Sequence, residues 1–294
     1  MTDQVRREAL NVGNAPLTQK RVSRFRKMQA NIDQGLLVLT FAALLIGWEW
    51  AAQTELISVL FFPPPSLILT KLIDGLADGS LLMHLATTLV RMFVGFLGGA
   101  LPALLLGVVM SSSRRLNRVF DPIISAIHPL PKISILPLVI LIVGVNEQSR
   151  IIIVALSAFF PMLVNTIAGI NQIDHAFYDI AHTYNASRFD ILYRLILPAT
   201  LPFLMAGVRL GLNTALTIAV SVELVFATTG LGTVVLGAWR TMRTESLYAA
   251  LLLIGLVGIG INTTLNILSR WLIPWHTARS RERASEIERE KVVS

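Results

Sequence analysis

The 294-residue chain has no cysteine and little charge. Without a thiol it can form no disulfide, no thiolate nucleophile and no Cys-ligated metal site, although this leaves the compartment open. Only 15% of its residues are charged, against about a quarter in an ordinary soluble domain, too few to clothe a soluble domain of this length. It contains no G-x-x-x-x-G-K sequence, so it lacks the loop whose backbone N–H groups cradle nucleotide phosphates. Fixed-period repeats and low-complexity runs are also absent. What is present in excess is apolar: 54% hydrophobic residues and a mean hydropathy of +0.66. Disordered, collagenous and disulfide-framework proteins are excluded by the same figures. The expected fold class is all-α, a polytopic membrane protein.

Apolar runs at about 35–52, 83–110, 123–145, 149–170, 200–222 and 247–272 are each long enough to cross about 30 Å of hydrocarbon as a helix. The leader before the first run is too long for a signal peptide, and the run itself is long enough to span. Six spans place both termini on one side, and lysine and arginine mark the cytoplasmic side. Arg6, Arg7, Lys20, Arg21, Arg24, Arg26 and Lys27 precede span one, and Arg114, Arg115 and Arg118 follow span two. Arg188 and Arg194 follow span four, and Arg270, Arg279, Arg281, Arg283, Arg289 and Lys291 follow or end span six. These are 18 of the 25 cations, so both termini are expected in the cytoplasm. The net charge of +7 and pI near 10.2 thereby report orientation, and no nucleic-acid partner is expected. The chain divides into a basic cytoplasmic tail (1–34), a transmembrane domain (35–275) and a charged cytoplasmic tail (276–294). Both tails could also touch anionic membrane lipid. After Pro63-Pro64-Pro65, the stripe Leu67, Ile68, Leu72, Ile73 and Leu76 predicts a short amphipathic helix over 66–77 on the outer surface.

The longest polar interruption on the cytoplasmic side is the loop 171–198. Phe177, Ile180, Ala181 and Tyr184 recur with the spacing of one helical face. Asn185 tolerates left-handed backbone and can close that helix. Ser187 with Asp190 three residues later reads as a capping box opening a second helix, faced by Phe189, Leu192, Tyr193 and Ile196 and ended by Pro198. Two short helices exposing an aromatic face would suit a groove on a partner. The same pattern also fits a re-entrant hairpin packed on the chain's own spans.

The stretch Asp179-Ile-Ala-His-Thr-Tyr-Asn185, then nine residues, then Leu195-Ile-Leu-Pro198 resembles the EAA signature of ABC-importer permeases. That signature reads Glu-Ala-Ala, three residues, Gly, nine residues, Ile, any residue, Leu-Pro. Asp179, Ile180, Asn185 and Leu195 depart from it, while Ala181, Leu197, Pro198 and every spacing agree. Asp179 keeps an acid and Asn185 a permissive turn, whereas Ile180 enlarges a position the family keeps small. Further segments are similar to the nitrate/sulfonate/taurine branch: His128-Pro-Leu-Pro-Lys-Ile-Ser-Ile-Leu-Pro, Gly144 to Arg150, Ala158 to Gly169, and Glu223 followed by Thr229-Gly-Leu-Gly-Thr233. Trp48-Glu49 with the following prolines, and Arg91 with Gly95, match as well, so the likeness covers roughly residues 40–275.

The resemblance implies a type I ABC importer permease with about six transmembrane helices, in a bacterial inner membrane. It implies a second permease subunit (a homodimer, with a second, different permease chain as the alternative), two cytoplasmic ATPase subunits that bind ATP and Mg, and an extracytoplasmic solute-binding protein. Phe177, Asp179, Ile180, Ala181, Tyr184, Asn185, Ser187 and Pro198 would then couple the chain to the ATPase. No cofactor or catalytic residue is expected in this chain, nor a metal site at His175 and His182, which have no further ligands nearby. The branch carries sulfonates, taurine, nitrate, bicarbonate and unrelated organic compounds, and a small anion or organic anion is the expected solute. The alternative is a secondary transporter or channel acting without an ATPase.

Charges within spans are costly and tend to pair or face a cavity. Glu49, between Trp48 and Trp50, reads as an interfacial anchor, and Arg209 as a snorkelling or paired residue. Pro129, Pro131 and Pro137 interrupt span three beside His128 and Lys132; broken helices are tolerated where they line a polar cavity. His128 and Lys132 are thus candidates for the translocation path or for structural pairing. Glu223 would repel an anion and reads as a gate or pairing residue near Gly230 and Gly232, with Arg91 as its candidate partner. Asn165 and Asn213 are candidates for hydrogen bonds across helices. Gly95 with Gly99, and Gly207 with Gly211, have the spacing of close helix approach.

Overall fold

The computed structural model describes residues 16–111 and 113–274; Arg6, Arg7 and the C-terminal tail 276–294 lie outside the described residues. The chain forms two units, one ending at Ile68 and the other beginning at Leu69. Every described element is helical: α1 (Pro16–Gln53), α2 (Pro65–Ala77), α3 (Ser80–Ser111), α4 (Arg114–Ile127), α5 (Leu136–Val143), α6 (Glu147–Asn171), α7 (His175–Thr183), α8 (Arg188–Phe226), α9 (Leu231–Arg240) and α10 (Thr244–Leu272). Five of these are long and apolar enough to cross a membrane, and α4 with the segment Lys132–Val143 makes a bent sixth candidate.

In the first unit, α1 starts at Pro16, inside the basic segment that the hydropathy pattern separates from the first span. Proline suits the first helical position, and no glycine or further proline interrupts the chain until Gly35. Glu49 is more than an anchor. Its carboxylate accepts from Ser66 N at 2.9 Å, Ser66 Oγ at 2.7 Å and Gln53 Nε2 at 2.6 Å. A negative charge is thereby held at the positive N-terminal end of α2.

In the second unit, α3, α6 and α8 pack around Met92, Phe96, Ala100, Val154, Ala158, Leu163, Leu212, Ala215 and Ala219, all buried. Lipid tails are as apolar as these side chains, so close packing rather than water exclusion holds such helices together. Small residues supply that closeness. A Cβ on Gly99 would collide with the Ala155 carbonyl, one on Gly95 with Val154 and one on Gly211 with Phe96. These glycines are therefore used inside the chain. Pro161 interrupts the hydrogen-bond ladder of α6 and frees the Ser157 carbonyl; the Thr214 hydroxyl of α8 lies 3.3 Å from it.

Several boundaries differ from the sequence expectation for identifiable reasons. Span three is broken, with an 89° bend between α4 and Lys132–Val143. Pro129 and Pro131 cannot donate to Ser125 and Ile127, and the chain turns there. The second helix of the loop does not end at Pro198 but runs on into the fifth span. Residues Ile191–Ile196 widen into a π-helical turn, with Leu197 N bonded to Leu192 O. That wider turn relieves the clash a proline ring makes with the carbonyl four residues back. The segment between spans five and six holds α9, which the hydropathy pattern leaves within a loop. Asn165 bonds Pro161 O of its own helix at 2.8 Å rather than reaching across, while Asn213 exchanges amide hydrogen bonds with Asn262 of α10 at 3.2 and 3.1 Å.

The Gly99 contact makes a specific demand on α3. Gly99→Ala is expected to destabilise the detergent-purified protein by about 1–3 kcal/mol, the usual penalty of overpacking. Gly98→Ala, whose new methyl would meet only Ala155 Cβ at 3.8 Å, is expected to be near neutral. Thermal unfolding of the two variants side by side checks this.

Candidate translocation and coupling sites

Arg91 projects from the middle of α3 and is only 2% exposed. A guanidinium offers five N–H donors and accepts nothing, and here all five are used. Nε donates to Glu147 Oε1, and Nη2 to Glu147 Oε2 at 3.0 Å and Thr229 Oγ1 at 3.1 Å. Nη1 donates to Glu223 Oε1 at 2.8 Å and Thr229 O at 2.5 Å. Glu223, fully buried on α8, also accepts from Thr88 Oγ1 at 3.0 Å and Gly232 N at 2.9 Å. Arg150 completes the charge balance: it donates to Glu147 Oε2 at 2.7 Å and to Phe226 O at 2.7 Å, where it meets the C-terminal end of α8. Two arginines and two glutamates thus neutralise one another where α3, α6 and α8 meet.

The same cluster fixes the loop between α8 and α9. Gly230 N donates to His84 Nδ1 at 3.0 Å and Leu231 N to Thr88 Oγ1 at 2.9 Å. Gly230 has φ +117°, and a Cβ there would strike the Glu223 carboxylate; only glycine meets both conditions. The pairing of Arg91 with Glu223, and the nearness of Gly230 and Gly232, follow the sequence expectation. Glu147, Thr88, His84 and Arg150 were not singled out. The signal was an acid and a base three residues apart, Glu147 and Arg150, at the entrance to an apolar span.

The structure does not bring His128 and Lys132 to this cluster. Lys132 Nζ donates to the His128 carbonyl and lies 4.9 Å from the Phe160 ring centroid, while the His128 ring meets Phe160 edge-on at 5.9 Å. Phe160 is thirteen residues along α6 from Glu147, about 20 Å at helical rise. Lys132 thus satisfies one carbonyl at the proline break and keeps a half-exposed charge there.

The loop 171–198 presents a different chemistry. Asp174 Oδ1 accepts from Ala176 N at 3.0 Å and opens α7. Asn185 closes it with φ +50°, and Ala186 N bonds Ala181 O at 3.0 Å, the six-to-one bond of a Schellman ending. Ser187 Oγ accepts from Asp190 N at 3.1 Å and donates to Asp190 Oδ2 at 2.6 Å, so Ser187 caps α8. The two caps turn Phe177, Ile180, Tyr184, Phe189 and Tyr193 outward, with Tyr184 82% exposed. Asp179 is exposed and Ala181 half-buried, while Pro198 sits just beyond the π turn. Packing against the chain's own spans is not seen for this aromatic face. Burial raises the Tyr178 hydroxyl above its usual range, in keeping with a side chain turned toward the protein. Among the described residues no group of three or more acidic or histidine side chains could hold a metal.

Removing Arg91 leaves the fully buried Glu223 carboxylate without its counter-ion. Breaking a buried pair from one side costs about 3–5 kcal/mol, so Arg91→Gln is expected to lower thermal stability sharply. Arg240→Gln, at an exposed position, serves as the control, and equal melting curves would contradict the role given to Arg91.

Comparison with known proteins places this architecture. The taurine transport system permease protein TauC of Escherichia coli (strain K12) is 33% identical over 246 residues, 82% of this chain and 90% of that protein. An aliphatic sulfonates transport permease protein, SsuC of Bacillus subtilis (strain 168), is 29% identical over 237 residues, 81% of this chain and 86% of that protein. The fold is shared with a chain of the MetNI methionine ABC transporter in an inward-facing conformation, with TM-score 0.57, 20% identity, and coverage of 65% of this chain and 95% of that one. Residues 95–277 match the model of the binding-protein-dependent transport system inner membrane component. With that match over more than half its length, the chain belongs to this family, as a multi-pass membrane permease subunit of an ABC transport system and not an enzyme.

Proposed function

We propose that the chain carries a small organic anion of the sulfonate type into the cytoplasm, driven by ATP that separate subunits bind with Mg and hydrolyse. Two identical copies form the pore, an extracytoplasmic binding protein delivers the solute, and both termini face the cytoplasm. The cation distribution supports that orientation, since 18 of 25 lysines and arginines fall on one side. The anion preference rests on the taurine and sulfonate relatives and on Lys132, a point charge at the proline-broken bend. His128 and Lys132 line the path, and Arg91 with Glu223 holds the opposite part of the bundle closed as a gate.

The observation that carries this reading is the exposed aromatic face of the loop 171–198. Phe177, Tyr184, Phe189 and Tyr193 stand out from a rigidly capped pair of helices and fit a groove on the ATPase. Asp179, Ile180 and Ala181 lie on the same helix, and Asn185, Ser187 and Pro198 set the angle between it and the fifth span. Because α8 is continuous from Arg188 to Phe226, a push on the loop travels along one helix to Glu223.

Tyr184→Asp places a charge in that contact and is expected to uncouple it. In reconstituted complexes, stimulation of ATP hydrolysis by the loaded binding protein should fall by about tenfold, the loss expected from burying an unpaired charge at an interface hot spot, and uptake should fall with it. Stimulation at the unsubstituted level would contradict the proposal.

A further inference from the structure

A second polar concentration lies between α8 and α10. Asn213 pairs with Asn262, and Arg209 Nη2 donates to Asn266 Oδ1 at 2.6 Å. These rungs are four residues apart on each helix, one turn per rung, and set the two helices antiparallel. Continued in that register, Pro202 comes level with Ile273 just beyond the end of α10. There a cavity of about 430 Å³ opens, lined by Phe203, Arg209, Asn266, Ser269, Arg270 and Ile273 among others.

Its chemistry is one-sided. Two guanidinium groups, an amide and a hydroxyl converge on it, and neither 197–213 nor 262–274 contains an acidic residue. Arg209 Nε is buried without a hydrogen-bond acceptor among the described residues. A buried donor of this kind is rarely left unmet, and oxyanions are the partners that arginine matches best. The remaining wall, from Pro202, Phe203, Met205, Ala206 and Ile273, is apolar. Trp271, in the last turn of α10, is 79% exposed, and exposed tryptophan at the end of a span marks the head-group layer of a bilayer.

We propose that this cavity is a binding site for an anionic phospholipid, with the phosphate head group between Arg209 and Arg270 and the acyl chains along the apolar wall. Basic pockets between transmembrane helices take anionic head groups in this way. Ser269 and Asn266 supply neutral donors, and Arg270, exposed at the mouth, supplies long-range attraction. The site is separate from the loop 171–198 and from the Arg91 cluster. It is read by binding rather than by uptake, so it stands or falls independently of the transport proposal.

The test uses the permease purified with its ATPase in neutral detergent, stripped of lipid and titrated with short-chain phosphatidylglycerol or phosphatidylcholine. Phosphatidylglycerol is expected to bind more tightly, and Arg270→Gln and Arg209→Gln to weaken it by about fivefold each, the worth of one cation near an anionic head group. Arg270 is exposed, so its variant keeps the measurement interpretable if Arg209→Gln fails to fold. Equal binding of the two lipids, or unchanged phosphatidylglycerol binding by Arg270→Gln, would overturn the proposal. Glycerol phosphate binding as tightly as the lipid would assign the site to a free anion, and competition by taurine would assign it to the transported solute; either result overturns it too.

Discussion

Arg91 takes a positive charge to a position almost wholly shielded from solvent, and the bundle is arranged around that fact. The charge is tolerable because α6 brings Glu147, α8 brings Glu223, and the following loop brings Thr229. Each acceptor comes from a different stretch of chain, so the guanidinium can be satisfied only when all of them are in register. A buried ion pair of this kind adds little net stability over an apolar packing of the same volume. What it adds is a single arrangement, since a slip of any one helix would strand a charge. Gly99 against Ala155 works in the same direction through shape, because the backbones approach only where a side chain is missing.

The polar groups of the chain sort by this constraint. Three of them are tied off inside the helices: Arg91 with two acids, Asn213 with Asn262, and Lys132 with the carbonyl of His128. The apolar residues left exposed beyond the spans are conspicuous by contrast. Tyr184 and Phe189 stand on capped helices, exposed among the described residues. A lone secondary transporter would need a free acid within its spans, and Glu223 is fully engaged. Membership in the family of binding-protein-dependent permeases supplies what the chain lacks, since it carries no phosphate-cradling loop and works with subunits that do.

Much of this was legible from the residues. The apolar runs located the spans, Asn185 and Ser187 located the turn and cap in the loop, and Glu223 was matched with Arg91 because each would otherwise be an unpaired charge in hydrocarbon. The missed features share a cause. Glu147 sits at the end of a span, where an acid is cheap in water, so only the third dimension shows it meeting Arg91. Pro198 reads as a helix stop in one dimension, yet a π turn upstream absorbs its ring and the helix continues. The residues 231–240 are apolar but too few to span, and hydropathy cannot distinguish such a segment from a loop. The 89° bend at Pro129 and Pro131 was signalled as an interruption, but its angle depends on packing against α6 that no local pattern encodes.

The absence of cysteine, which excluded so much chemistry, permits a direct test of the central claim that the loop 171–198 is the ATPase docking site. Tyr184→Cys gives the chain a single thiol. A membrane-impermeant maleimide should label it in inside-out vesicles stripped of the ATPase, leave it unlabelled in right-side-out vesicles, and lose access when the ATPase is restored. Labelling from the outer face, or labelling indifferent to the ATPase, would contradict the account.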